Sequence, residues 1–150
     1  MAELRRAVER SSTGWQAAHN ALLRLKSAIE FERVRRDGRS HAHPLVVLVA
    51  RRRAPAEVHA PGRNRLEGPR PDERPRFGFV AGKGAGSAVD RNRAKRLLRE
   101  AARRCQAAVA PGWDLILIAR RPLAAAAQAD VNQALAGLLK RAGCLTQSDS

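Results

Sequence analysis

A chain of 150 residues with 29 Lys and Arg against 14 Asp and Glu carries a net charge of +15 and repels itself unless a polyanion neutralises it. That length, with a hydrophobic fraction of 44%, predicts one domain with flexible additions and a core of modest size. No run approaches ~18 consecutive apolar residues, which excludes a membrane-spanning helix of ordinary length. Nucleic acid is the leading partner class, because Lys and Arg displace counterions condensed on phosphates. An anionic membrane surface comes second. A GC-rich coding bias inflates Ala and Arg, but it does not by itself gather charges on one helix face. The N-terminus shows no apolar h-region before a cleavage site, so the chain reads as intracellular and cytoplasmic.

Residues 1–21 form a charged, Ser- and Thr-containing extension expected to be disordered. Ser27-Ala-Ile-Glu30 fits a capping box, so a helix is predicted from Ala28 to Arg36, closed by Gly38. Phe31 sits on that helix with Ala28 and Val34, where an aromatic at helical spacing usually packs a core. Its functional alternative is a platform for an RNA base. Pro44-Leu-Val-Val-Leu-Val-Ala50 reads as a strand buried on both faces. From Arg51 to Pro75 five prolines and many charges match no periodic element, so this stretch reads as a loosely held insert. Arg76-Phe-Gly-Phe-Val-Ala-Gly82 is a second strand, broken by Lys83-Gly-Ala-Gly86.

The longest periodic segment follows, from Ser87 to Arg104. Wound as a helix, it aligns Ala94, Leu97, Leu98, Ala101, Ala102 and Cys105 in one apolar stripe. Lys95, Arg96, Arg99 and Arg103 crowd the opposite side, with Arg93 and Arg104 on a flank. Asp90 suits the positive end of the helix dipole, and Arg103 and Arg104 the negative end. Trp113-Asp-Leu-Ile-Leu-Ile-Ala119 is a third, central strand, stopped by Arg120-Arg121-Pro122. A last helix is predicted from about Ala124 to Arg141, with Val131, Leu135, Leu138 and Leu139 inward and Gly143 as its stop; residues 146–150 are a tail. The sum is an α/β sandwich, a small sheet of three or four strands packed with three helices. The passage from Gly78 to Ala119 implies parallel strands if the two are neighbours.

Catalytic chemistry is not legible. The glycines at 82, 84 and 86 meet neither the G-x-x-x-x-G-K-[ST] nor the G-x-G-x-x-G pattern. His19, His41, His43 and His59 stand in polar contexts without companion Cys, Asp or Glu, so surface histidines are expected. Cys105 lies on the apolar stripe and reads as a small hydrophobe. The positive signal is Arg91-Asn-Arg93, Lys95-Arg96 and Arg99 on one helix. Arginine's planar fork suits bidentate phosphate contact, and Asn92 can donate to phosphate or a ribose hydroxyl. Seven cations and two acids between Asp90 and Arg104 make a merely solvated face the weaker reading.

Arg76-Phe-Gly-Phe-Val-Ala-Gly-Lys83, followed by Gly86-Ser-Ala-Val-Asp-Arg-Asn-Arg-Ala-Lys-Arg-Leu-Leu-Arg-Glu-Ala101, resembles the protein component of bacterial ribonuclease P. Arg24-Leu25, Phe31, Val34 and Gly38 are similar to that family's first helix, and Gly112-Trp-Asp-Leu-Ile-Leu-Ile-Ala-Arg120 to its last strand. The resemblance runs from about Leu22 to Leu145. It implies a ribosomal-protein-like sandwich with a left-handed crossover. It further implies a subunit that helps a catalytic RNA remove the 5′ leader of precursor tRNA. The RNA and its Mg²⁺ would then do the chemistry, and neither a membrane nor a protein partner would be required. Contacts to the catalytic RNA would fall on Lys83, Arg91, Asn92, Arg93, Lys95, Arg96 and Arg99, and leader contacts on Phe31 and Phe79. The chain departs from the family pattern at Gly84, where a second basic residue is usual, at Ala94, where a larger aliphatic is common, and at Asp90. A ribosome-associated structural RNA-binding protein shares the charge and fold type and is the alternative; a DNA-binding domain is weaker, since no helix–turn–helix partner flanks the basic helix.

Overall fold

Two long apolar strands set the frame. The computed structural model describes residues 22–54 and 74–146. The expectations for 1–21, for the 55–73 portion of the insert and for 147–150 lie outside the described residues. In chain order the elements are β1 (Leu23–Arg24), α1 (Ala28–Asp37), β2 (Arg39–Ala42), β3 (Val46–Arg52), β4 (Arg76–Val80), α2 (Ala88–Cys105), β5 (Trp113–Ala119) and α3 (Gln128–Ala142). Short 3-10 turns at Lys83–Ala85, Gln106–Ala108 and Arg121–Ala125 join them.

The strands form one mixed sheet in the order β1-β4-β5-β3-β2. β3 and β5 pair antiparallel from Val46 opposite Ala119 to Arg52 opposite Trp113. β4 and β5 are parallel neighbours, so the β4–α2–β5 passage pairs as the sequence implied. Five strands replace the three or four expected. The two additions are edges: β1 is two residues long, and β2 (Arg39-Ser-His-Ala42) is polar and largely exposed. Neither is long or apolar enough to leave a period-2 signature. Arg24 and Leu25, matched by resemblance to a helix, instead belong to β1 and the segment after it, where the Leu25 amide donates to the Phe77 carbonyl at 3.0 Å.

Because the chain alternates faces along each strand, the sheet has two cores. On one face Val46, Leu48, Ala50, Phe77, Leu115 and Leu117 pack against Ala94, Leu98, Ala101 and Ala102 of α2 and Val131, Leu135, Leu138 and Leu139 of α3. On the other face Val49 and Ile116 meet Leu25 and Val34, with Phe31, Val47, Val80 and Ile118 partly buried around them. The predicted inward stripe of α2 is therefore correct, with Leu97 and Cys105 at its half-buried margins. Ala94 is fully buried, so the small residue at this position lets the helix sit close to its neighbours.

The insert begins later than the sequence suggested. β3 runs on through Arg51 and Arg52, and Arg53 is 5% exposed. Its guanidinium donates to Asp114 in β5, to the Trp113 carbonyl at 3.3 Å and to the Arg74 carbonyl at 2.8 Å. Both ends of the insert are thus tied to β5 by one side chain. Arg51 pairs with Asp37 at 3.8 Å instead of standing in a solvated linker. Burial raises the thiol pKa of Cys105 and carries that of Cys144 to about 11, which keeps both neutral as small hydrophobes at physiological pH.

Candidate nucleic-acid interface

α2 is held at its start by a device the sequence contains but the dipole argument alone did not bring out. Ser87 Oγ accepts from the Asp90 amide at 3.2 Å, and Asp90 Oδ2 accepts from the Ser87 amide at 3.1 Å. This reciprocal capping box gives Asp90 a structural purpose. Gly86, at φ 121°, brings the chain into it; a Cβ there would stand 2.6 Å from Asp90 Oδ2. The negative charge before the cationic run is thereby consumed by the helix's own first turn.

Beyond that turn the acids run out. Arg91, Arg93, Lys95, Arg96 and Arg99 take part in none of the ion pairs found among the described residues. Asn92, Arg93 and Arg96 are exposed, and Arg91, Lys95 and Arg99 half-buried. Two of the arginines are oriented by backbone carbonyls: Arg93 Nε donates to Ala124 at 2.7 Å and Arg99 Nε to Lys95 at 3.3 Å. Each such bond uses a single N–H and leaves the charge uncompensated. Arg91 Nε is buried and finds no acceptor among the described residues. One turn further, Glu100 partners Arg103 and Arg104, both at 3.4 Å, so the unneutralised stretch ends there.

Arg24, Arg93, Arg96, Leu97, Arg99, Glu100, Arg103 and Gln128 line an open cleft of about 650 Å³ along this face. Gln128, from α3, donates to the Leu97 carbonyl at 3.0 Å and to Asn132 at 2.8 Å, which fixes one wall. Arg24, from the sheet edge, forms the other and lies 5.7 Å above the Phe79 ring. Sequence reasoning did not select Arg24 or Gln128; both reach the cleft through tertiary packing. Lys83 is exposed on the turn between β4 and α2.

The two aromatics expected to share a site do not share a face. Phe31 rises from α1 onto the small core, where a Cβ on Gly78 would stand 2.6 Å from its ring. Phe79 points to the opposite side, parallel to Phe77 at 6.4 Å between centroids and packed against the core under α2. Strand alternation requires this: residues 77 and 79 face one way, 78 and 80 the other. The neighbours of Phe31 are Gly78, Leu25 and Val80, not Phe79.

Ion pairs fix the position of α1. Glu30 accepts from Arg76 at 3.3 Å, and Arg76 meets Asp114 with two bonds of 2.8 Å. The second Glu30 oxygen accepts from the Lys26 amide at 2.8 Å, one residue before the reciprocal position of a standard capping box, while Ser27 caps Glu30 as predicted. Among the described residues no group of three His, Cys, Asp or Glu side chains stands close enough to hold a metal ion. No described helix is long and apolar enough to cross a membrane.

The family model described as Ribonuclease P matches residues 20–143. The chain is 40% identical over 119 residues to the ribonuclease P protein component of Herpetosiphon aurantiacus, covering 79% of this chain and 83% of that protein. It is also 40% identical over 128 residues to that of a Roseiflexus species, covering 85% and 91%. Among solved structures it is similar to the Staphylococcus aureus RNase P protein, with a TM-score of 0.63 and 25% identity over 84% of this chain and all of that one. The RNase P protein of Thermotoga maritima gives a TM-score of 0.60 and 25% identity over 79% and 96%.

Proposed function

The chain belongs to the ribonuclease P protein family, and from that premise we propose that it binds the catalytic RNA through α2 and the 5′ leader of precursor tRNA through the α1 side of the sheet. The observation that carries this reading is the run Arg91 to Arg99, five cations that no acid among the described residues neutralises. A packed RNA phosphate backbone would relieve their mutual repulsion and displace counterions. Lys83, Asn92 and Arg96 are exposed for such contacts. The buried Nε of Arg91 gains an acceptor if a phosphate oxygen enters beside it. Arg24 extends the same surface to the sheet edge.

For the leader, Phe31 with the apolar residues around it offers a face on which a base can stack. Phe79 is better counted with the catalytic-RNA side, under Arg24. Hydrolysis is assigned to the RNA. Among the described residues Asp114, Glu30 and Glu100 are each committed to arginines and Asp90 to a helix cap, and no three metal-ligating side chains stand together.

The test is reconstitution. The protein with a cognate catalytic RNA is expected to cleave precursor tRNA at Mg²⁺ concentrations where the RNA alone is slow, releasing the leader and a mature 5′ end. Protein without RNA is expected to be inert. Cleavage by protein alone would overturn the assignment of chemistry to the RNA, and co-sedimentation with ribosomes without any stimulation of cleavage would favour a structural RNA-binding role.

A further inference from the structure

The leader-binding reading leaves open what holds α1 at the right height above the sheet. The apolar contact beneath it is small: Val34 is the one residue of α1 that is buried. Against this, Arg76 spans two layers. Its guanidinium clasps Asp114 of β5 with Nε and Nη2, both at 2.8 Å, and reaches Glu30 of α1 with Nη1 at 3.3 Å. Asp114 is 2% exposed and its Oδ1, which accepts from Arg76 Nε, also accepts from Arg53, so a second arginine holds the anchor end of the bridge. Glu30 in turn holds the Lys26 amide at the start of α1. Phe31 is the next residue, and its ring rests on the strand at Gly78, where any side chain would collide with it.

We propose that Arg76 is a positioning residue for leader recognition: the Glu30–Arg76–Asp114 bridge fixes the first turn of α1 and thereby the orientation of Phe31 over Gly78. This rests on the leader reading above. Arg76 is not required to touch the leader; it acts through Glu30. A guanidinium is suited to the task because its fork can engage two carboxylates in fixed directions at once, which an ammonium cannot do with the same geometry.

The experiment uses the assembled complex of full-length protein and catalytic RNA. The quantity read is the ratio of its affinity for precursor tRNA carrying a leader to its affinity for mature tRNA. Wild type is expected to prefer the precursor. Arg76→Ala should lower the ratio about tenfold and Glu30→Gln about threefold, each factor of ten being about 1.4 kcal/mol. Arg76→Lys should recover part of it. The two variants change net charge in opposite directions, so a purely electrostatic effect on the leader phosphates would move the ratio oppositely in the two, whereas loss of positioning lowers it in both. Glu32→Gln, an exposed carboxylate on the same helix, is the control and should leave the ratio unchanged. Affinity for the catalytic RNA alone and the melting temperature separate positioning from unfolding, because Asp114 keeps Arg53 as a partner in every variant. A wild-type preference that survives intact in Arg76→Ala and Glu30→Gln overturns the positioning role. A wild-type ratio of one overturns the leader reading itself, and this inference with it.

Discussion

The two faces of the sheet are built on different principles. Under α2 and α3 lies a continuous core with Phe77, Leu48, Leu98, Leu115, Leu117, Leu135, Leu138 and Leu139 all withdrawn from water. Under α1 four buried residues, Leu25, Val34, Val49 and Ile116, carry the packing, and an ionic bridge supplies the alignment. The first face is a rigid support whose outer surface is free to hold charge that would destabilise a weaker scaffold. The second is a thin layer whose helix is placed by directional bonds, so its geometry is more easily disturbed than its stability. Substitutions beneath α2 should therefore cost folding, and substitutions beneath α1 should cost recognition first.

The largest effect is expected at Asp114, the buried carboxylate on the α1 side of β5, which is the exception to this contrast because two arginines depend on it. Asp114→Ala strands the buried Arg53 and releases Arg76, and should cost about 3–5 kcal/mol of stability. Denaturant titration checks it; a loss below about 1 kcal/mol would mean that the cluster contributes little and that β5 is held by packing alone. Next comes Leu98→Ala, which empties a fully buried site and should cost about 2–5 kcal/mol. Val34→Ala, equally buried but beneath α1, removes less volume from a smaller core and should cost about half as much. If the two losses are equal, the contrast between the faces fails.

The sheet's interior was readable because β3 and β5 are continuous apolar runs, and α2 because its stripe repeats at helical spacing over 18 residues. Its cationic face followed from the same winding. What escaped reading has a common physical origin. β1 and β2 draw their stability from hydrogen bonds to a neighbour and carry no pattern of their own. Arg53 and Arg76 look like any other arginine in a basic chain, and only their pairing with the buried Asp114 distinguishes them from the exposed Arg96. Phe31 and Phe79 were grouped by the family resemblance alone; strand parity, once β4 is in register with β5, assigns them to opposite faces. Arg24 and Gln128 reach the cationic cleft from distant parts of the chain, which no local pattern reports.

Gly78→Ala tests the thinner face without touching a charge. The new Cβ would lie 2.6 Å from the Phe31 ring and 3.1 Å from Leu25 Cδ1. The ring must tilt or α1 must lift, at a cost of about 1–3 kcal/mol. The informative measurement is again the preference for precursor over mature tRNA. It should fall, while affinity for the catalytic RNA stays as in wild type, because α2 is on the other side of the sheet. A parallel fall in both affinities would show that the faces are mechanically coupled and that their separation is not useful.

The smallest effects bear on where the unneutralised cationic stretch of α2 ends. Arg96 is exposed and meets no acid among the described residues, so Arg96→Ala should flatten the log–log salt dependence of catalytic-RNA binding by about 0.7–0.9 units if it meets one phosphate. Glu100→Gln asks the complementary question. Glu100 occupies Arg103 and Arg104 at 3.4 Å each and is itself 38% exposed, so these pairs contribute at most about 1 kcal/mol to stability and can be removed without unfolding the helix. Releasing them removes one negative charge from the cleft wall and frees the Arg103 guanidinium at its far end. If RNA runs along the whole cleft, the variant should bind the catalytic RNA slightly more tightly and with a steeper salt dependence than wild type. If affinity and slope are both unchanged, the RNA stops at Arg99, and Glu100 marks the boundary between the part of α2 that meets a partner and the part that only closes the helix.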